Sequence, residues 1–133
     1  MVPLSLSPAA MPSRSYRLLV LLLVLNACSD NAAIAHLATL KQALPLQIAL
    51  TDAEATLRQQ GVTFTRHSAA ECEDLNRNAQ VQSQLPPKGG PCLFGKKEGP
   101  HNWYGAHQDV ILQLVFDSQG RMADGHFEVV DGY

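Results

Sequence analysis

The run Val110-Ile111-Leu112-Gln113-Leu114-Val115-Phe116 is followed by Asp117-Ser118-Gln119-Gly120 and then by residues 122–130, where side-chain character alternates. This is the stretch of the chain that most restricts its fold. Six apolar residues, several of them β-branched and interrupted only by Gln113, read as a strand. Asp, Ser and Gly in the next four positions supply turn chemistry. In the returning segment Ala123, Gly125, Phe127 and Val129 alternate with Asp124, His126 and Glu128. That period of two gives the second strand one buried and one wet face, and Leu112, Leu114 and Phe116 supply the facing residues of the first. The C-terminal part of the chain is therefore expected to be an antiparallel hairpin.

Helical signals precede it. In residues 31–44, Ile34, Leu37, Leu40 and Leu44 recur at helical spacing, and Pro45 ends the segment. Both a helix and a partly helical tether fit. Thr51-Asp52-Ala53-Glu54 has the form of a capping box with Leu50 as its hydrophobic staple. The helix it opens is expected over residues 52–60, with Gly61 as the left-handed residue that ends it. Val62-Thr63-Phe64-Thr65 then reads as a short strand with Val62 and Phe64 on one face. A second capping box, Ser68-Ala69-Ala70-Glu71, opens a helix with Cys72, Leu75 and Ala79 on one stripe. Residues 85–91, LPPKGGP, are a loop by composition. Cys92-Leu93-Phe94 is a strand, followed by a turn containing Gly and Lys. These pieces add up to an α+β domain, with one or two helices packed on a three- to four-stranded antiparallel sheet.

The N-terminus has a different character. Arg14 and Arg17 are the only charges among the first 27 residues, and they precede the apolar run of residues 18–25. A basic region, a short apolar region and a small residue at its end form a secretory signal. A membrane-spanning helix needs about 20 apolar residues, and this run is closed by Asn26. Met11 offers a second start close to both arginines. Leu25-Asn26-Ala27-Cys28 resembles the lipobox of bacterial lipoproteins. That resemblance implies cleavage before Cys28, a diacylglycerol on its thiol and a third acyl chain on its amino group. Each buried methylene contributes ~0.8 kcal/mol, so two chains already anchor stably. Ser29, rather than Asp, follows the cysteine, which favours the outer membrane over the inner. The expected organisation is a signal peptide over residues 1–27, a lipid-attached segment over 28–45 and the α+β domain over 46–133.

After cleavage, the loss of Arg14 and Arg17 leaves eight basic and twelve acidic residues, a net charge of −4. Nucleic-acid binding needs a basic footprint, which this balance lacks. With Cys28 taken by lipid, Cys72 and Cys92 remain as an even pair in an oxidising compartment. A disulfide between them closes a loop of about 21 residues and stabilises by roughly 3 kcal/mol. No C-x-x-C motif favours a redox role.

The order of elements, from helix and capped helix ending in Gly to strands and the FDSQGRM hairpin of residues 116–122, resembles that of small envelope lipoproteins. The nearest group is that of the BamE-like (SmpA/OmlA) accessory lipoproteins of the β-barrel assembly machinery. The similarity runs from Leu46 onward, and it implies a non-enzymatic role at the membrane through protein contact.

Residues 99–109, GPHNWYGAHQD, hold the most unusual chemistry. His101, His107 and Asp109, with His126 across the hairpin, are candidate ligands for zinc or copper. Their spacing matches no standard signature, so loop histidines without a metal are the favoured reading and no cofactor is expected. Trp103 and Tyr104 are candidate partner-binding residues, although a domain short of core residues favours tucking them beneath the sheet. The chain has no G-x-S-x-G, P-loop or G-x-G-x-x-G motif. An envelope lipoprotein that acts by protein contact is expected. The alternatives are a periplasmic inhibitor or immunity-type lipoprotein with loop 99–108 as a wedge, and a metal- or ligand-binding module.

Overall fold

The computed structural model describes residues 32–78 and 85–132. Its elements are α1 (residues 32–43), α2 (Leu50–Gln59), β1 (Thr63–His67), α3 (Ala69–Arg77), β2 (Gly89–Lys97), β3 (His107–Asp117) and β4 (Met122–Gly132). The strands form one antiparallel sheet in the order β1-β2-β3-β4. This is the expected α+β class, with three helices and four strands.

The two faces of the sheet are covered differently. Leu93 lies opposite Leu114, and Leu112 opposite Phe127, on the face that also carries Phe64, Val110 and Val129. Leu40 and Leu44 from α1 and the segment after it, with Ala53 and Leu57 from α2, complete this core. Full burial of a Leu or Phe contributes about 1.5–3 kcal/mol, so α1 is an integral part of the packed unit, which begins at Ala33. On the opposite face α3 covers only part of the sheet. There Cys72 bonds Cys92 with Cα atoms 6.2 Å apart, beside Val115, Phe94 and Leu85. Buried Gln113 holds the chain at Leu85, accepting from its amide at 3.0 Å and donating to its carbonyl at 3.2 Å.

Local chemistry sets the helix ends. Gly61 adopts φ +72°, its amide bonds the Arg58 carbonyl, and the Val62 amide bonds the Leu57 carbonyl. This double closure leaves Val62 and Leu57 buried together. The Ser68 box forms in full, with the Glu71 amide donating to Ser68 Oγ and the Ser68 amide to Glu71 Oε1. Those bonds hold the Glu71 carboxyl below its usual range.

Four local expectations are corrected. The Thr51 capping box does not form: α2 begins at Leu50 after Ala49, which makes no side-chain cap. The reason is tertiary. The Leu50 amide donates to the Gly120 carbonyl, Gln47 and Ile48 exchange bonds with Met122, and Glu54 turns inward to Arg66. Gly89, Gly90 and Pro91 belong to β2 rather than a loop; the register shifts between Gly89 and Cys92, an irregularity of the kind that tolerates Pro in a strand. Gly95-Lys96-Lys97 continues β2 and is not a turn. A side chain at Gly95 would press on Val62 and Leu112, so the glycine serves packing across the core. His107 and Asp109 lie in β3, not in a loop. The signal segment of residues 1–27, Cys28 and Ala79 lie outside the described residues.

The sheet has two distinct ends. The β3–β4 turn lies at one end, where residues 47–49 join Arg121 and Met122. At the other, α2 finishes with the Gln60 carbonyl accepting from Lys97 Nζ at 2.7 Å. His36, in the first half of α1, lies near enough to Lys97 to be influenced by its charge. The helix ends four residues before Gln47, which bonds Met122 at the β3–β4 end, and its twelve residues put its start about 18 Å from its last turn.

Candidate functional site

The β2–β3 connection, residues 98–106, is organised around Asp109. This residue is 1% exposed at the start of the apolar stretch of β3. Its Oδ1 accepts from the Gly99 amide at 3.1 Å and lies 2.6 Å from His107 Nδ1; its Oδ2 lies 3.3 Å from Lys96 Nζ. Burial pushes the Asp109 carboxyl up. The bonds from His107, the Gly99 amide and Lys96 together outweigh it and hold the group below the usual carboxylate range. An ionised Asp109 makes His107 Nδ1 the donor. Gly132 packs flat against His107 and Asp109, where a Cβ would meet both. His101 stacks on His107 with ring centroids 4.1 Å apart and 20° between planes. The carboxylate thus ties together the end of β2, the start of β3 and the loop between them.

The structure brings His101, His107 and Asp109 together, yet their geometry is that of a brace. His107 gives one nitrogen to Asp109, and two stacked rings do not aim their nitrogens at one point. His126 sits opposite Gln113 and lies 3.3 Å from Glu128. Among the described residues, no group of three His, Cys, Asp or Glu is arranged to hold a metal ion. An Asp–His pair is also a feature of acid–base catalysis. Here the His107 side chain is only 7% exposed beneath His101, which leaves little surface for a substrate. Two shallow depressions lie nearby. One of about 250 Å³ is lined by Thr63, Thr65, Phe94 and Lys96, and one of about 410 Å³ by Gly61, Thr63 and residues 96–98.

Beyond the brace, the loop ends in a tight turn. The Gly105 amide donates to the Asn102 carbonyl at 3.1 Å, and the Asn102 amide to the Ala106 carbonyl at 2.9 Å. Asn102 Oδ1 accepts from the amides of Tyr104 and Ala106, and Gly105 takes φ +87°. Trp103 and Tyr104 occupy the two central positions. Contrary to the expectation that they tuck beneath the sheet, Trp103 is 93% and Tyr104 65% exposed. Their rings meet edge to face, with centroids 5.0 Å apart. The turn's own side-chain and backbone bonds carry these aromatics outward, away from the core.

The β3–β4 turn repeats this design. Gly120 (φ +76°) donates to the Asp117 carbonyl, and Asp117 Oδ1 accepts from the amides of Gln119 and Arg121. Its central residues are Ser118 and Gln119.

Sequence reasoning found the aromatics and the histidines but missed Asp109 as the organiser. The available signal was a lone acid immediately before an apolar strand, a position that needs buried partners. No protein-family model, curated protein or solved structure matches this chain.

Proposed function

We propose that this chain is a lipid-anchored protein of the bacterial envelope that acts by protein contact and has no chemistry of its own. In this reading residues 1–27 are removed, Cys28 carries the lipid, and Ser29 directs the protein to the periplasmic side of the outer membrane. The lipobox supports the anchor, and the resemblance to the BamE-like accessory lipoproteins supports the contact role.

One observation carries the contact reading: the outer edge of β4. This strand has eleven residues with neither Pro nor Lys, and it is the last in the sheet. Residues 47–49 cover its start at Met122. Beyond that point no described strand lies beside it. Exposed edges of this length are normally blunted by Pro, Lys or brevity, whereas β1, the other edge, has only five residues. A partner strand added along β4 extends the ladder. Asp124 and Glu128 on one face favour basic residues at alternate positions of that partner.

The test is a photo-crosslinking amino acid in place of Glu128 in the anchored chain in living cells. A discrete protein adduct from position 128, with none from position 118 in the β3–β4 turn, is the expected result. A folded, anchored chain that yields no adduct from β4 removes the reading. The exposure of Trp103 and Tyr104 favours a second one, a periplasmic inhibitor that inserts loop 99–108 into a hydrolase. In that case Trp103→Ala abolishes inhibition and leaves stability unchanged.

A further inference from the structure

The two hairpin turns allow a comparison within one molecule. Both are built from an Asn or Asp whose Oδ1 binds the amides two and four residues on, with a left-handed Gly at the fourth position. The central residues contribute only a backbone amide to these bonds, which any side chain but Pro permits, and Ser118-Gln119 serves the purpose at the β3–β4 turn. The turn therefore does not require Trp103 and Tyr104, and at 93% and 65% exposure neither does the core.

Their position adds a second observation. Four large apolar side chains are exposed among the described residues: Ile34, Leu46, Trp103 and Tyr104. Leu46 adjoins the β3–β4 end, where Gln47 bonds Met122. The other three lie away from it: Trp103 and Tyr104 are in the β2–β3 connection, and Ile34 is in the first turn of α1, whose last residue comes only four before Gln47 and its bond to Met122, so about 18 Å of helix separates its start from that end. Cys28 lies five residues before Ala33 in the sequence. Whatever their conformation, five residues span at most roughly 18 Å.

We infer that the Trp103–Tyr104 tip inserts into the interfacial layer of the membrane that holds Cys28. The inference rests on the lipoprotein reading. A lipid on Cys28 confines the start of α1 to within that short reach of the bilayer, so the aromatic end of the sheet is the end held close to it. Indole and phenol rings favour the headgroup level, where an apolar body meets a polar tip. The tether supplies a high effective concentration, so a small aromatic contact suffices to orient the domain. Electrostatics contributes little. Lys96 is engaged by Asp109 and Lys97 by the Gln60 carbonyl, and residues 28–133 carry a net charge of −4. Insertion is therefore expected in neutral membranes and is insensitive to salt. With the tip in the interface, β4 begins at the far end of the sheet and returns toward the membrane, and its free edge stays open to a partner in the periplasm.

Trp103 is the only tryptophan in the chain, so its fluorescence tests the inference directly. The full-length lipoprotein, with acylation verified by intact mass, is reconstituted into phosphatidylcholine vesicles. The expected result is emission shifted to shorter wavelength, quenching by lipids brominated near the headgroup and loss of quenching by aqueous iodide. A Trp103→Phe, Ser118→Trp variant moves the probe to the matching turn at the other end and is expected to keep the emission of a water-exposed indole. An acylated protein whose Trp103 stays fully accessible to iodide overturns the inference and leaves the anchor intact. So does an indole shielded in native envelopes but not in vesicles, which assigns the tip to a protein partner. A membrane-fraction protein without acyl groups on Cys28 overturns both the inference and the reading beneath it.

Discussion

Asp109 is a carboxylate with three donors in a place where water has little access. Asp109→Asn keeps its shape but loses the charge that Lys96 and His107 answer, and it turns one acceptor into a donor. The expected cost is about 1–3 kcal/mol at neutral pH, read from urea unfolding. The pH dependence has a definite sign. The native carboxyl titrates below its unfolded value, so its stabilisation is complete above the ordinary carboxylate range near pH ~4 and is lost as pH falls through the lower native value. The gap between wild type and Asp109→Asn should therefore narrow in acid. A gap that stays constant from neutral pH to pH ~3 would show that the charge contributes nothing. His36 acts in the same direction in a higher window. Burial and then Lys97 lower its affinity for a proton, so stability begins to fall as pH drops through the ordinary histidine value of about 6.5. At this scale the sequence was only partly legible. The residues of the loop could be named, but which of them would be buried together depended on Gly99, Gly132 and a register known only once the strands had paired.

Two capping boxes with the same spelling behave differently. Ser68 accepts from Glu71 and is answered by it, and Ser68→Ala is expected to cost about 1 kcal/mol. Thr51 lies one residue inside α2 and exposed, so Thr51→Ala is expected to stay within about 0.5 kcal/mol of wild type. Thermal unfolding of the two variants side by side makes the comparison, and equal losses would return Thr51 to a capping role. The divergence shows where local reading stops. A box is decided by its own four residues only when nothing else binds their backbone. Ser68 is free of such competition, whereas the chain just before α2 is already joined to the β3–β4 turn, and Glu54 is drawn to Arg66 on β1. The long strands were legible for the complementary reason, since their alternation reports burial on a sheet whichever neighbours form it. Gly95-Lys96-Lys97 misled because a glycine that makes room for Val62 and Leu112 looks, in one dimension, like a glycine that makes a turn.

For the molecule as a whole, the disulfide joins the smaller of the two cores, where α3 covers only part of the sheet. Reduction, or paired Cys72→Ser and Cys92→Ser substitution, is expected to lower stability by roughly 3 kcal/mol. Reductant should then have no further effect on the double variant. Unchanged stability after reduction would mean that α3 holds its place by packing alone. The α+β class and the Cys72–Cys92 pair were open to sequence reading because periodicity and cysteine number survive without three-dimensional information. The placement of α3 opposite α1 and α2 was not, since a short helix with one buried cysteine carries no mark of the face it will cover. The bonds from Gln47, Ile48 and Leu50 to Gly120 and Met122 also impose an order of events. The apolar stripes of α1 and α2 have no surface to close on until β3 and β4 exist, and those strands follow both helices in the chain. Such distant pairings are slow to form. A chain emerging from the ribosome therefore presents its helices before the strands that hold them, and this unit shuts only after β4 has come through.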